Sequence, residues 1–221
     1  SQKFDLGQAF PSQRLAADGE SNLSPNSSPV SIVKIHAGGG KDILFGNQDD
    51  NQLYGDLGND ILDGRDGNDL LVGGGGNDDI RGGRGSDRLV PISGRDMLTG
   101  GEDADGFHFS GTKTDTITDF NLEEGDWIVL DEVEAEVVFS VAKSKREVGQ
   151  LQKAGIVNFI YLESKGYALW RGDGMDSFHK IKFESSVPSS ALMGAVFGRQ
   201  SSPSASSSFM EQPVDSQLPI F

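Results

Sequence analysis

Residues 37–108 read AGGGKDILF GNQDDNQLY GDLGNDILD GRDGNDLLV GGGGNDDIR GGRGSDRLV PISGRDMLT GGEDADGFH, one nine-residue pattern written eight times without insertion or deletion. The sixth position is Asp in seven units (Asp42, Asp60, Asp69, Asp78, Asp87, Asp96 and Asp105) and Asn51 in the remaining one. The eighth is apolar in all: Leu44, Leu53, Leu62, Leu71, Ile80, Leu89, Leu98 and Phe107. Composition alone would suggest a flexible, Gly-rich acidic linker, but a linker has no reason to keep a large apolar residue in phase over eight units. The register predicts a packed repeat.

Glycine opens six units and fills position four in six (Gly40, Gly58, Gly67, Gly76, Gly85 and Gly94), which suits a turn needing positive φ and close backbone approach. Asn59, Asn68 and Asn77 at position five tolerate the left-handed region as well. The residues after each turn, such as Asp69-Leu70-Leu71, then form a short strand with the position-eight side chain pointing inward. Positions seven and nine face out, which fits Gln52, Asp63, Asp79, Arg81 and Arg88.

This pattern resembles G-G-x-G-x-D-x-U-x, the nonapeptide of the RTX (hemolysin-type calcium-binding) family. The resemblance implies an all-β chain: a right-handed parallel β-roll in which two units make one coil and calcium lies between stacked turns on the same side. Units two apart would share a site, so Asp42, Asp60, Asp78 and Asp96 stack on one side and Asn51, Asp69, Asp87 and Asp105 on the other. The implied metal residues are Asp42, Asp60, Asp69, Asp78, Asp87, Asp96 and Asp105 with the turn glycines Gly55, Gly58, Gly64, Gly67, Gly73, Gly76, Gly82 and Gly85. Hard oxygen donors without sulfur or a helical His pair select calcium rather than zinc, with backbone carbonyls completing the shell. The turns GDLGND, GRDGND, GGGGND and GGRGSD make Asp60/Asp78 and Asp69/Asp87 the best-formed pairs. Asn51, Pro91-Ile92 and Asp103 depart from the pattern at the outer sites.

The whole chain supports this. Its 221 residues suffice for one or two domains, and only 35% are hydrophobic. The formal charge of −15 argues against nucleic-acid or anionic-membrane partners. The repeat block holds fourteen Asp and one Glu against six Lys or Arg, so it carries −9 of that charge. Cysteine is absent, which leaves neither disulfides nor thiolate sites to brace the fold. No apolar run approaches the roughly eighteen residues of a membrane span, and SQKFDLGQAF lacks the layout of a secretory signal.

Residues 1–30 read as a disordered linker with Pro11, Pro25 and Pro29, and VSIVKIHA (30–37) as a strand entering the roll at 31–109. Residues 109–131 are similar to the phrase that follows the repeats in serralysin-like RTX proteins. Thr114-Asp115-Thr116-Ile117-Thr118-Asp119-Phe120 and Gly125-Asp126-Trp127-Ile128-Val129-Leu130 carry that likeness. It makes Asp115, Asp119 and Asp126 candidate ligands or turn organisers. Strands are expected at 136–142, 156–163, 167–172 and 179–184, the middle two as a hairpin through Ser164-Lys165-Gly166, and a short helix at 144–155. Phe139, Phe159, Tyr161, Leu169, Trp170 and Phe183 would bury in a C-terminal cap over 110–198 that closes the roll's open edge. Asp173-Gly174-Met175-Asp176 reads as a turn, and 199–221 as a disordered tail.

The function implied by the resemblance is a module that folds on calcium outside the cell and supports an exported protein. Its partners would be calcium and type I secretion machinery, reading a signal near Leu192–Phe197 or the terminal LPIF, and an upstream fused domain. The localisation would be secreted, extracellular or cell surface. An enzyme is not expected: H-E-x-x-H, G-x-S-x-G and Cys are missing, and His36, His108 and His179 are far apart. The alternatives are a cell-surface adhesin or surface-layer component, or the appendage of a secreted hydrolase. Against a regular binding face, position nine reads Phe45, Tyr54, Asp63, Val72, Arg81, Val90, Thr99, His108, which is no ladder.

Overall fold

The computed structural model describes residues 3–5, 33–110, 114–134, 137–155, 157–172 and 178–198. Each repeat contributes one strand: β3 (Ile43–Phe45), β4 (Asn51–Tyr54), β5 (Ile61–Asp66), β6 (Leu70–Gly75), β7 (Asp79–Arg84), β8 (Arg88–Ser93), β9 (Met97–Glu102) and β10 (Gly106–Phe109). Odd strands stack in one sheet and even strands in the other, every pairing parallel. Leu62 pairs with Ile80 and Leu71 with Leu89, so partners are two units apart and two units make one coil. All eight position-eight side chains are 0% exposed between the sheets. Burying an aliphatic side chain contributes about 1.5–3 kcal/mol, and the one per unit is the roll's whole apolar filling. The strands β5 to β9 are six residues long, not the three expected, because pairing runs on through Arg65–Gly83 and Gly74–Ile92 into the next unit.

Two ends of the roll differ from the sequence expectation. Within the stretch read as a linker, β1 (Lys3–Asp5) pairs in parallel with β3, using the sheet edge that the first coil leaves open. The rest of that linker, like the expected tail at 199–221 and the turn at 173–176, lies outside the described residues. The entering strand is β2 (Val33–His36), paired with β4, with Ile35 in the core.

Beyond Phe109 the same two sheets continue without a break. β11 (Thr114–Ile117) pairs with β9, β12 (Trp127–Leu130) with β10, and β17 (Val196–Gly198) with β12. β16 (His179–Phe183) adds in parallel to β11, followed by β15 (Tyr167–Trp170), β14 (Phe159–Leu162) and β13 (Phe139–Val141). The β14–β15 hairpin is antiparallel and turns at Gly166, with φ +57°. One apolar core accordingly runs from Ile35 to Val196. Phe159, Tyr161, Trp170 and Phe183 lie in it, Phe139 packs against it, and Leu169 faces the other way.

Helix α1 (Lys145–Ala154) covers that other face. Ser144 Oγ accepts from the Glu147 amide at 3.2 Å, Glu147 reaches back to the Lys143 amide at 2.8 Å, and Gly155 ends the helix at φ +70°. Val148 and Leu151 pack with Ile160, Leu162 and Leu169. The short helix α2 (Ser189–Leu192) delivers Leu192 to the main core. No helix among the described residues is long and apolar enough to cross a membrane.

Candidate metal centre

The turns carry two hydrogen-bond ladders that run in opposite directions. In the first, the amide of each position-six residue donates to the Oδ1 of the position-six Asp one coil on. Asp42 donates to Asp60, Asp60 to Asp78 and Asp78 to Asp96, all at 2.8 Å. On the other side Asn51 donates to Asp69 and Asp69 to Asp87 at 2.7 Å, and Asp87 to Asp105 at 2.9 Å. The two predicted stacks are thus formed.

The second ladder corrects the expectation for position five. Asn59, Asn68 and Asn77 are not among the positive-φ residues. Their side-chain oxygens instead accept from the amides of Asn77, Ser86 and Arg95 one coil ahead, at 2.8, 2.7 and 3.0 Å. An amide side chain here satisfies a backbone donor that the turn leaves over. The left-handed positions are four, as expected, and two: Gly38, Asp56, Arg65, Gly74, Gly83, Ile92 and Gly101 all have positive φ. Glycine at 74, 83 and 101 was the available signal for position two.

The ladder leaves the second carboxylate oxygen over. Oδ2 of Asp60, Asp69, Asp78, Asp87 and Asp105 is buried and accepts no hydrogen bond. Each lies beside a position-one glycine of its own unit. A Cβ on Gly55 would stand 2.6 Å from the Gly73 carbonyl oxygen and 2.8 Å from Asp60 Oδ2. The equivalent space at Gly64 is bounded by Asp69 Oδ2 and the Gly82 carbonyl, at Gly73 by Asp78 Oδ2 and the Pro91 carbonyl, and at Gly82 by Asp87 Oδ2 and the Gly100 carbonyl. At Gly55, Gly64, Gly73 and Gly82 glycine is therefore required by close approach alone. At position four, Gly58, Gly76 and Gly85 combine positive φ with a carbonyl from the preceding coil in the way of any Cβ, and Gly67 meets the Asp49 carbonyl at 2.7 Å. These cradles, each with an unused carboxylate oxygen facing a carbonyl, fit a hard cation that takes oxygen donors from flexible backbone.

Among the described residues no group of three His, Cys, Asp or Glu could hold a metal. A cation held in these cradles would draw instead on a single carboxylate row and the backbone.

Burial makes these carboxylates costly to ionise. It pushes Asp87 up to about 9, Asp105 to about 8, and Asp69 and Asp78 to about 7 from 3.8, and it raises Asp60 in the same direction. The ladder bond opposes the rise, while neighbouring carboxylates in the row add to it. Charges one strand spacing apart repel by about 3 kcal/mol at an effective dielectric of 20. A cation in the row removes both penalties.

The ladders continue past the last repeat. Asp115 Oδ1 accepts from the Asp96 amide at 3.1 Å and Asp126 Oδ1 from the Asp105 amide at 3.0 Å. Burial raises both carboxyls to about 6. Spacings of 19 and 21 residues put them outside the nine-residue register. Asp126 Oδ2 accepts from the Asn121 amide at 2.8 Å, and Asp119 takes the Gly100 and Gly101 amides, both at 3.0 Å. Asp119 and Asp126 act as turn organisers, one of the two roles expected of them. Asn51 Oδ1 accepts from the Asn47 amide and its Nδ2 donates to Asn47 Oδ1 at 3.1 Å, so its amide closes its own turn.

The three histidines do not converge: His36 and His108 sit on β2 and β10, separated by three strands, and His179 belongs to the other sheet. A search of curated proteins found no match to this chain, and neither did a search of solved structures. The family model for the RTX calcium-binding nonapeptide repeat, in four copies, matches residues 34–62 and 54–89. That match covers the best-formed cradles, and this chain carries a block of RTX calcium-binding repeats whose ligand is calcium.

Proposed function

We propose that the chain is a calcium-triggered folding module of an exported protein, extended and export-competent where calcium is scarce and folded where it is plentiful. The observation that carries this reading is the row of buried carboxylates with an unused oxygen facing a backbone carbonyl. With one aliphatic side chain per unit set against a block charge of −9, metal-binding free energy becomes folding free energy. Extracellular calcium modules respond at about 10⁻⁴ to 10⁻³ M, a range that separates the outside of a cell from its interior. The module serves secretion and stability and does no catalysis of its own; type I export machinery and a fused cargo domain are the partners this role calls for.

The test is a calcium titration followed by far-UV circular dichroism. A cooperative rise of β signal with a midpoint in that range is expected. A β spectrum that survives exhaustive chelation at neutral pH overturns the proposal.

A further inference from the structure

The outer faces of the two sheets are unlike. On the ten-stranded sheet the outward positions of β5, β7 and β9 carry Ile61, Asp63, Asp79, Arg81, Met97 and Thr99, half-buried or exposed. On the seven-stranded sheet, beside Gln52, Arg88 and His108, they carry six large apolar side chains: Tyr54 on β4, Leu70 and Val72 on β6, Val90 on β8, and Trp127 and Val129 on β12. None of these six belongs to the core between the sheets. Yet Val72 and Val90 are 2% exposed, Val129 1% and Trp127 7%. The cluster of Tyr54, Leu70, Val72 and Val90 with Ile92 contains side chains of this sheet alone, and among the described elements the helix that covers a sheet face, α1, packs on β14 in the other sheet. A one-layer face stays open to water from above; this one does not.

We propose that residues 199–221 fold back over the outer face of the seven-stranded sheet and are its second layer. The segment follows Gly198, the last residue of β17, which is the edge strand of this same sheet. Its first ten residues, RQSSPSASSS, contain no large apolar side chain, whereas the next thirteen carry Phe209, Met210, Val214, Leu218, Ile220 and Phe221. From β17 to β4 is five strand spacings, about 24 Å, and a ten-residue spacer reaches up to about 33 Å. The spacer is long enough to bring the apolar cluster anywhere from Trp127 to Tyr54. Charge agrees: Glu211 and Asp215 would come to a face that carries Lys34 and Arg88. The other long segment, 6–32, is held at both ends by β1 and β2 and spreads its apolar residues thinly.

Trp127 reports on the face, because the second tryptophan, Trp170, is 1% exposed in the core. In the calcium-loaded full chain, replacing Phe209, Met210, Leu218, Ile220 and Phe221 together by Ser should make about half of the tryptophan emission accessible to acrylamide. Replacing Leu6, Phe10, Leu15 and Leu23 by Ser should leave it shielded. The chain has no cysteine, so Ser216→Cys takes a single nitroxide label, which should quench Trp127 in the otherwise unaltered chain. The same label on Ser24→Cys should not. Three results overturn the proposal: unchanged accessibility in the first variant with no quenching from position 216, exposure produced only by the second variant, or shielding that disappears on dilution, which would assign the face to a second copy of the chain.

Discussion

The repeat block and the region after it are built on the same pair of sheets, but they are held together differently. In residues 37–108 each coil places two aliphatic side chains between the sheets and leaves carboxylate oxygens such as Asp78 Oδ2 buried without a donor. In residues 114–198 the core adds large aromatic side chains to the aliphatic ones, with Phe120, Phe159, Tyr161, Trp170 and Phe183 in mutual contact or close by, and Asp119 and Asp126 spend both oxygens on backbone amides. One half has its polar groups satisfied by the chain itself. The other leaves a buried carboxylate oxygen over at Asp60, Asp69, Asp78, Asp87 and Asp105, where calcium would supply what packing and hydrogen bonds supply beyond.

Cutting the two halves apart should have the largest effect. The last repeat coil offers β9 and β10 as open edges, which β11 and β12 pair, and its inner side is closed by Phe120 against Phe107. A chain ending at Phe109 should fail to fold at any calcium level, or aggregate through those edges, read by circular dichroism and sedimentation. An unchanged calcium response would show that the repeats stand alone.

Next in size is the distinction between neighbouring carboxylates. Asp78→Ala removes an unused buried oxygen and the acceptor for the Asp60 amide. Its calcium midpoint should rise by at least on the order of tenfold, the scale found even for groups that merely support ligands. Asp79, on the outer face, pairs with Arg81 at 2.8 Å. Asp79→Ala removes the same formal charge and should leave the midpoint nearly unmoved, because this half-buried carboxylate faces Arg81 on the outer side of the sheet, whereas Asp78 Oδ2 lies at the turn cradle beside Gly73. Equal shifts would place the sites elsewhere.

The register, the two stacks and the leucine rows were legible in the sequence because a nine-residue period fixes which side chain points where. What escaped it depends on contacts between coils. Asn at position five suits a left-handed residue and an acceptor of a neighbouring coil's amide equally well in one dimension, and only the stacking shows that it is the second. Asp115 and Asp126 extend the ladders after loops of irregular length, so periodicity cannot reach them, although the likeness to the region following RTX repeats pointed at both. The pairing of Lys3–Asp5 with β3 had no signal at all: three residues among polar sequence gain strand geometry only because an edge is waiting.

Acid should imitate calcium most strongly in the repeat block, where burial raises the carboxyls further than the values of about 6 at Asp115 and Asp126. Asp69, Asp78, Asp87 and Asp105 have folded values of about 7 to 9 against 3.8 when unfolded. Between those limits the metal-free fold binds more protons than the unfolded chain, so its stability falls as pH rises through the window and is fully restored below the unfolded value. With chelator present, lowering the pH from about 9 to about 5 should therefore raise the β signal, and calcium uptake at neutral pH should release protons. A β signal that is flat or falls with acidification would show that the buried carboxylates do not oppose folding.

The smallest effect lies at the seam between the halves. Asp103 occupies position four of the last repeat, where six of the other seven units carry glycine, and it adopts φ +79° with its side chain exposed. A left-handed conformation costs an L-residue roughly 1–2 kcal/mol, less for Asp, and glycine avoids that strain while adding back some unfolded-state entropy. Asp103 has no packing to lose, unlike Ile92, whose strained φ of +68° is offset by contact with the outer apolar cluster. Asp103→Gly should therefore stabilise the calcium-loaded chain by about 0.5 kcal/mol, which for a chain of this size is a rise of about 1–2 °C in the thermal midpoint. The same substitution removes one negative charge near Asp105, so part of the gain could be electrostatic; Asp103→Asn removes the charge and keeps a side chain that tolerates the left-handed region. If Asn matches Gly, charge rather than backbone geometry limits the seam, and if neither raises the midpoint, the turn is already relaxed by the hydrogen bonds of Asp119 beside it.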